Sequence, residues 1–434
     1  MAHSKAFQKQ RRRIILAGVA SAGLAGAGWM KPEAIRSGHS SYFKGLQAAL
    51  AHSGLATPTL VLDQQRLDHN IQVLNHHIGN AFGYRIVVKS LPSLPLLERV
   101  MAGTGSQKLM LFHQPFLNLV ARAMPDADIL LGKPLPVASA ARFYQEHTVS
   151  HGGFRPERQL QWLLDSPARL ASYEQLAKQQ QQPMRVNLEI DIGLHRGGFT
   201  SAESLVPALR HIEQSSWLNF SGFMGYEAQI MKSPGPALWL RDRAMARYQY
   251  FVTTAEQTLG RSIADLTLNT GGSTTYQLYQ GMAGTIPANE LSAGSGLVMP
   301  TDFDLPTLAD HHHAIYIATP VLKLLDRTRI PGAPGLGWLQ SLWNPNQARA
   351  AFIYGGHWKA RPVSPAGLTH NDVYGHSSNQ EMLNLANGVP LNEGDRVFLR
   401  PTQSEAVLLQ FGDLAVFDAS RGQITNSWPV LREG

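Results

Sequence analysis

Tyr84-Arg-Ile-Val-Val-Lys89 is a short apolar run that ends in a lysine, and its neighbours decide the fold. Upstream, residues 66–78 place Leu67, Ile71, Leu74 and Ile78 at helical spacing, and downstream residues 94–101 again look helical. Before both, Thr57-Pro-Thr-Leu-Val-Leu-Asp63 reads as a strand, because aliphatic and β-branched residues run together between turn formers. The alternation continues with apolar runs at 109–112, 128–131, 161–164, 185–192, 220–225 and 265–269. Helical patterns, including 201–212 and 237–259, lie between most of them. Such alternation predicts parallel βα units, and about eight of them over roughly 250 residues make an α/β, TIM-like (β/α)8 barrel. Chemistry in that architecture gathers at the carboxyl ends of the strands.

From about residue 300 the pattern changes. Residues 314–325, 350–354, 395–399, 405–409 and 414–417 read as strands with few helices between them, which predicts a C-terminal mostly-β domain. Residues 331–347 are rich in Pro, Gly and Trp and read as a loop or flap; 179–182 read as a polar loop. Residues 40–54 read as a short helix. The expected organisation is a leader at 1–27, a linker and N-terminal segment at 28–55, the barrel at 56–300 and the β domain at 301–434.

Composition narrows the function. The chain has 434 residues, 44% hydrophobic and 16% charged, an ordinary globular balance able to bury a large core. No stretch reaches the roughly 18 continuous apolar residues of a membrane span, which excludes a multi-span membrane protein. The net charge of +7 invites a nucleic-acid reading, but Lys5, Lys9, Arg11, Arg12 and Arg13 all lie in the leader, and removing those five leaves +2. No nucleic-acid partner is expected. The absence of cysteine rules out disulfides, thiolate nucleophiles and Cys-ligated zinc.

The leader has the features of an export signal. Gln10-Arg-Arg-Arg-Ile-Ile-Leu16 is followed by a Gly/Ala-rich run that ends in Ala25-Gly-Ala27, an A-x-A-like cleavage site. The paired arginines resemble the twin-arginine type, whose passengers cross already folded. A periplasmic or exported protein is expected, with an uncleaved membrane anchor or a disordered basic tail as the alternatives.

Several strand ends carry candidate chemistry. Lys89 points into a barrel mouth, where desolvation makes a lysine nucleophilic towards an aldehyde; taken alone, such a lysine is more often simply solvated. Asp191-Ile-Gly-Leu-His-Arg-Gly-Gly198 is a tight loop that brings Asp191, His195 and Arg196 to one strand end, as a ligand-holding arginine or as a plain turn with a salt bridge. Asn269-Thr-Gly-Gly-Ser-Thr274 and Ser292-Ala-Gly-Ser-Gly296 have the small residues of phosphate cradles, and also of ordinary turns. His311-His-His313 does not read as a metal site, because consecutive strand residues alternate direction.

In this order the pieces resemble the D-threonine aldolase and D-serine dehydratase family of fold-type III pyridoxal 5'-phosphate (PLP) enzymes, relatives of alanine racemase. The likeness runs from about Thr57 to Arg432. Arg85-Ile-Val-Val-Lys89 is similar to the family's R-x-x-x-K segment, which makes Lys89 the lysine that carries the cofactor. Glu189-Ile-Asp-Ile-Gly-Leu-His-Arg196 is similar to its E-x-D-x-G-x-x-R segment, implying that Arg196 reaches the cofactor, and Gly222-Phe-Met-Gly-Tyr226 places Tyr226 near the ring. The phosphate-side loops are implied at Gly271, Gly272, Ser273 and Thr274 and at Gly294 and Ser295. Family members bind a catalytic divalent metal through P-x-H-x-C or P-x-H-x-D. Here the segment reads Pro401-Thr-Gln-Ser-Glu405, so Gln403 and Glu405 hold a harder ion such as Mg²⁺ or Mn²⁺, or Glu405 serves as a base, or the pair is merely polar.

The resemblance implies a PLP-dependent lyase acting on small D-3-hydroxy amino acids, by retro-aldol cleavage or dehydration. An amino-acid racemase and a non-catalytic PLP-binding protein remain as alternatives. A homodimer is the expected assembly, by analogy with the family.

Overall fold

The computed structural model describes residues 31–147, 153–329, 332–333 and 335–432. The expected leader at 1–27 lies outside them. Among the described residues no helix is long and apolar enough to cross a membrane. The chain packs as two compact units. One comprises Ala48–Leu55, Thr59–Ile317 and the described residues after Leu399; the other comprises Ala318–Leu399, Ala56–Pro58 and the described residues up to Gln47.

The first unit begins with β1 (Thr59–Asp63) and then closes a parallel barrel. Its eight strands are β2 (Gly83–Val87), β3 (Lys108–Leu111), β4 (Asp128–Leu131), β5 (Leu160–Leu164), β6 (Met184–Glu189), β7 (Leu218–Met224), β8 (Thr267–Thr270) and β9 (Glu290–Ala293). Each pairs with the next, and β9 pairs back onto β2 with Arg85 opposite Ser292. Helices join most of them because the intervening segments bury one apolar stripe. In Gln64–Ile78 the stripe is Leu67, Ile71, Leu74 and Ile78, and the Asp63 carboxylate caps the helix by accepting from the Arg66 N–H at 3.0 Å. The long segment Ala237–Leu259 is one helix, as its spacing predicts.

The second unit is mostly β. It contains β10 (Ile315–Leu325), β11 (Arg349–Tyr354), β12 (Ala360–Ser364), β13 (Thr369–His370), β14 (Gln380–Leu385) and β15 (Arg396–Pro401). The strands β10, β11, β14 and β13 form an antiparallel run in that order, and β12 pairs with β15.

Four expectations need correction. Thr59–Asp63 is not a barrel strand; it pairs in parallel with β16 (Leu414–Asp418), which in turn pairs antiparallel with β17 (Gln423–Trp428). A strand buried on both faces has the same sequence signature in either sheet. For the same reason the described residues after Leu399, grouped by sequence with the C-terminal β domain, pack with the barrel. Residues 405–409 are turns rather than a strand: the N–H groups of Val407 and Leu408 both donate to the Ser404 carbonyl. Within 331–347, Leu336–Trp343 is a helix, in a gap between Gly335 and Pro345 too short for the spacing to be read.

The barrel interior holds ions. Arg85 is fully buried, with Nε 2.5 Å from Glu290 Oε1, Nη2 3.0 Å from Glu290 Oε2 and Nη2 2.7 Å from Asp128 Oδ1. Lys108 Nζ reaches Glu290 Oε2 at 2.9 Å, and Asn269 donates to Glu290 Oε1 at 2.8 Å. Burial alone would raise the Glu290 pKa, but the charges and hydrogen bonds of Arg85 and Lys108 hold it well below its ordinary value of 4.5. The stability Glu290 contributes is therefore complete above that unfolded-state value and disappears as pH falls through the lower folded-state value.

Removing one partner of a buried pair costs about 3 to 5 kcal/mol. We predict that Glu290→Gln destabilises by that order in urea unfolding at neutral pH. The variant also loses less stability than the wild type on acidification from about pH 5 to pH 2. Equal acid sensitivity in the two proteins would refute the assignment.

Candidate active site

On β2 and the turn that follows it, Arg85 fills the barrel interior and Lys89 emerges four residues later. Lys89 lies in a single 3-10 turn, Val88–Ser90, just past the carboxyl end of the strand. Its Nζ is 3.2 Å from Glu405 Oε1 and 4.9 Å from the centroid of the Phe112 ring, which continues from β3. The amine thus meets a carboxylate and an aromatic face inside a cavity of about 370 Å³, a size common among small-ligand sites.

Every residue singled out in the sequence for cofactor, base or metal lines this one cavity: Lys89, Arg196, Tyr226, Gly271, Gly272, Ser273, Thr274, Gly294, Ser295, Gln403 and Glu405. Asp191 and His195 do not. The Asp191 carboxylate accepts the N–H groups of Gly193 and His195 at 2.9 and 3.0 Å and the His195 ring at 2.7 Å, so those residues shape the turn that delivers Arg196. The Arg196 guanidinium then lies 5.2 Å from the Tyr226 ring centroid.

The loop after β8 is held from below by a buried acid the sequence reading missed. Glu227 accepts from the Thr270 hydroxyl at 2.9 Å, the Gly271 N–H at 3.1 Å and the Thr275 hydroxyl at 2.7 Å. Burial pushes its pKa up despite those bonds. Ser273 Oγ accepts the N–H groups of Gly294 and Gly296, both at 3.0 Å, tying the two small-residue loops together. Among the described residues, the N–H groups of Ser273 and Thr274 donate to no protein acceptor. Unclaimed donors in a small-residue loop are what an anion requires. Two glycines are dictated by close approach. A Cβ on Gly294 would lie 2.7 Å from the Val87 carbonyl oxygen, and one on Gly272 would lie 2.8 Å from Tyr226 Cε2.

Charges tune the rest. Burial raises the Glu405 pKa, but the adjacent Lys89 charge and hydrogen bonds, including one from Ser404, outweigh it and leave the carboxyl below its ordinary value. Burial, reinforced by Glu227, pushes the Tyr226 hydroxyl up to about 12. Sequence reasoning also missed Phe112, Asp302 and Phe303 as cavity residues. Phe112 carried a signal in its strand-end position; the other two follow β9 and carried none.

The Gln403 and Glu405 pair does not fit a divalent metal. Gln403 offers only a neutral amide oxygen, and the Glu405 carboxylate already has Lys89 on Oε1 and the Ser404 and Ser295 hydroxyls on Oε2, at 3.1 and 3.4 Å. The three imidazoles of His311–His313 take separate partners: His311 bonds Tyr276 and Asp310, His312 stacks on His69, and His313 faces Asp304.

A family model described as the alanine racemase N-terminal domain matches residues 62–302. The chain belongs to that family. Its members are fold-type III enzymes whose cofactor is pyridoxal 5'-phosphate. No curated protein matches the chain. Among solved structures, D-threonine aldolase from Filomicrobium marinum is similar at TM-score 0.68 and 16% identity, over 86% of this chain and 94% of that one. D-threo-3-hydroxyaspartate dehydratase from Delftia sp. HT23 gives 0.64 and 17%, over 87% and 98%. An alanine racemase from Clostridium difficile 630 gives 0.63 and 13%, over 86% and 98%. These likenesses concern the fold.

The cavity fits the family's cofactor: it offers a lysine amine, an aromatic and arginine wall, and unclaimed N–H groups beside glycines that admit no Cβ. Gly294→Ala would push the Val87–Lys89 segment away from the loop it contacts. We predict at least a tenfold loss of pyridoxal phosphate affinity, about 1.4 kcal/mol, measured by cofactor absorbance across a dilution series. Wild-type retention would show that the close contact is not needed.

Proposed function

We propose that this protein is a PLP-dependent lyase that cleaves small D-3-hydroxy amino acids, with Lys89 carrying the cofactor. The observation that supports it is the Lys89–Glu405 contact of 3.2 Å inside the cavity. It sets an ionised carboxylate beside the attachment point, where a substrate's β-hydroxyl would come. The names of two similar structures, a D-threonine aldolase and a D-threo-3-hydroxyaspartate dehydratase, favour the same substrate class.

Bound pyridoxal phosphate supplies an electron sink for the bond broken at Cα. The protein does the rest. Ser273 and Thr274 offer their N–H groups to the phosphate, Arg196 and Tyr226 wall the ring, and the Phe112 ring lies against the Lys89 amine, 4.9 Å from its centroid. Glu405 takes the proton from the β-hydroxyl of the substrate; as that O–H bond breaks, a C=O bond forms and the Cα–Cβ bond opens, releasing an aldehyde. Lys89 returns a proton to Cα, which leaves glycine. No step uses a metal at Gln403. Because Glu405 must be ionised, activity falls on the acid side as the carboxylate protonates.

The twin-arginine-like leader adds export after folding to the proposal, and a homodimer belongs to the same reading. Finding the mature N-terminus just after Ala27 in exported protein would support cleavage, and an intact leader would support the anchored alternative.

The test is product analysis with D-threonine. Glycine and acetaldehyde establish aldol cleavage, whereas a 2-oxo acid moves the reading to dehydration and an L- or allo-isomer to racemisation. Absence of any product, with the cofactor attached, moves it to a binding role. Borohydride treatment and peptide mass mapping locate the cofactor on the peptide containing Lys89, and Lys89→Ala abolishes attachment. Glu405→Gln is expected to retain attachment while turnover falls by about 10²- to 10⁴-fold, the usual worth of a general base.

A further inference from the structure

The β unit contains a second cluster of reactive side chains, none of which lines the Lys89 cavity. We propose that His370, His376 and Glu381 bind a divalent transition-metal ion of the zinc type. The site lies on the hairpin formed by β13 and β14, whose register sets His370 opposite Leu383. The connecting residues are shaped at their start by Asn371. Its Oδ1 accepts the N–H groups of Val373 and Tyr374 at 3.1 and 2.9 Å, and its buried amide donates to Asn384 at 2.7 Å. The chain therefore turns back early, and His376 returns beside the base of β14.

The donor atoms converge. The His370 Nδ1 is 3.2 Å from Glu381 Oε1, and the His376 Nδ1 contacts the same oxygen. All three ligand atoms lie within 4.8 Å of one another. Glu381 is only 1% exposed, and its other oxygen accepts the His357 N–H at 2.8 Å, which aims Oε1 at the two rings.

Hydrogen-bond accounting asks for a cation here. The His370 Nε2 is 3.1 Å from the Ala360 carbonyl oxygen, which only accepts, so Nε2 carries the hydrogen. In a neutral ring the Nδ1 of His370 is then a lone pair facing a carboxylate oxygen. Two acceptors in contact repel unless a positive charge lies between them. A proton on His370 Nδ1 supplies that charge for one ring only, and His376 must then contribute its own Nδ1–H to the same oxygen. One divalent ion satisfies all three donors together.

The rest of the geometry is that of a metal site. An imidazole whose far nitrogen bonds a backbone carbonyl is the common arrangement around a ligating histidine. Two imidazoles and one carboxylate suit zinc, and also cobalt or nickel, and leave one coordination position for water. His376 is half exposed and provides the route of entry. Such an ion would staple the 371–379 connection to β14.

The experiment uses the full-length, cofactor-loaded protein, stripped with chelator, reloaded with Zn²⁺ and passed through gel filtration. Zinc per chain is read by mass spectrometry, and Co²⁺ substitution is read by visible absorption. The expected result is one zinc per chain in the wild type and in Gln403→Ala. In His376→Ala affinity falls at least about tenfold and the cobalt bands disappear. Because His376 is exposed, that variant should melt as the metal-free wild type does, which separates ligand loss from misfolding. Equal zinc retention by His376→Ala, no retention by the wild type, or loss of zinc only in Gln403→Ala would each overturn the proposal.

Discussion

The barrel closes where β9 pairs with β2, and that seam carries the Arg85–Glu290 ion pair. Everything at the mouth is counted from it. Lys89 lies four residues beyond Arg85, and Gly294 lies four residues beyond Glu290. The pair therefore sets which loop Lys89 meets: a Cβ on Gly294 would touch the Val87 carbonyl, and the Ser295 hydroxyl bonds that of Ser90 at 2.8 Å. A slip of one residue would turn every side chain of the strand to the other face and separate these groups. Desolvating two ions offsets much of their attraction, so breaking the pair costs far more than forming it gains. Asp128, Lys108 and Asn269 complete the hydrogen bonding that makes it tolerable inside the barrel.

Much of this was legible in the sequence because parallel strands in a covered sheet are continuous apolar runs, and the helices between them carry one stripe. The site was legible for a related reason. Lys89, Arg196, Tyr226 and the two small-residue loops each follow a barrel strand, and a barrel brings all such positions to one end. What depends on long-range pairing was not legible. Thr59–Asp63 reads like a barrel strand but pairs with β16, and Val407 and Leu408 satisfy their apolar demand in a turn. Glu227 gave no sign, since its partners at Thr270, Gly271 and Thr275 are brought to it only by folding. His370, His376 and Glu381 fall at no helical or strand period; a hairpin register unites them.

Glu290, Glu405 and Glu381 share one requirement: an ionised carboxylate taken from water needs a positive partner. They differ in how permanent that partner is. Arg85 is permanently charged, so Glu290 is a structural acid and its low pKa is a matter of stability. Glu405 faces the Lys89 amine, whose charge and hydrogen bond help hold the carboxyl below its ordinary value. Glu381 faces imidazoles, which can exchange a proton for a metal ion at neutral pH. The same carboxylate chemistry thereby makes a structural pair at the seam and, in the proposed readings, a base at the mouth and an ion ligand on the hairpin, and the identity of the cation decides which.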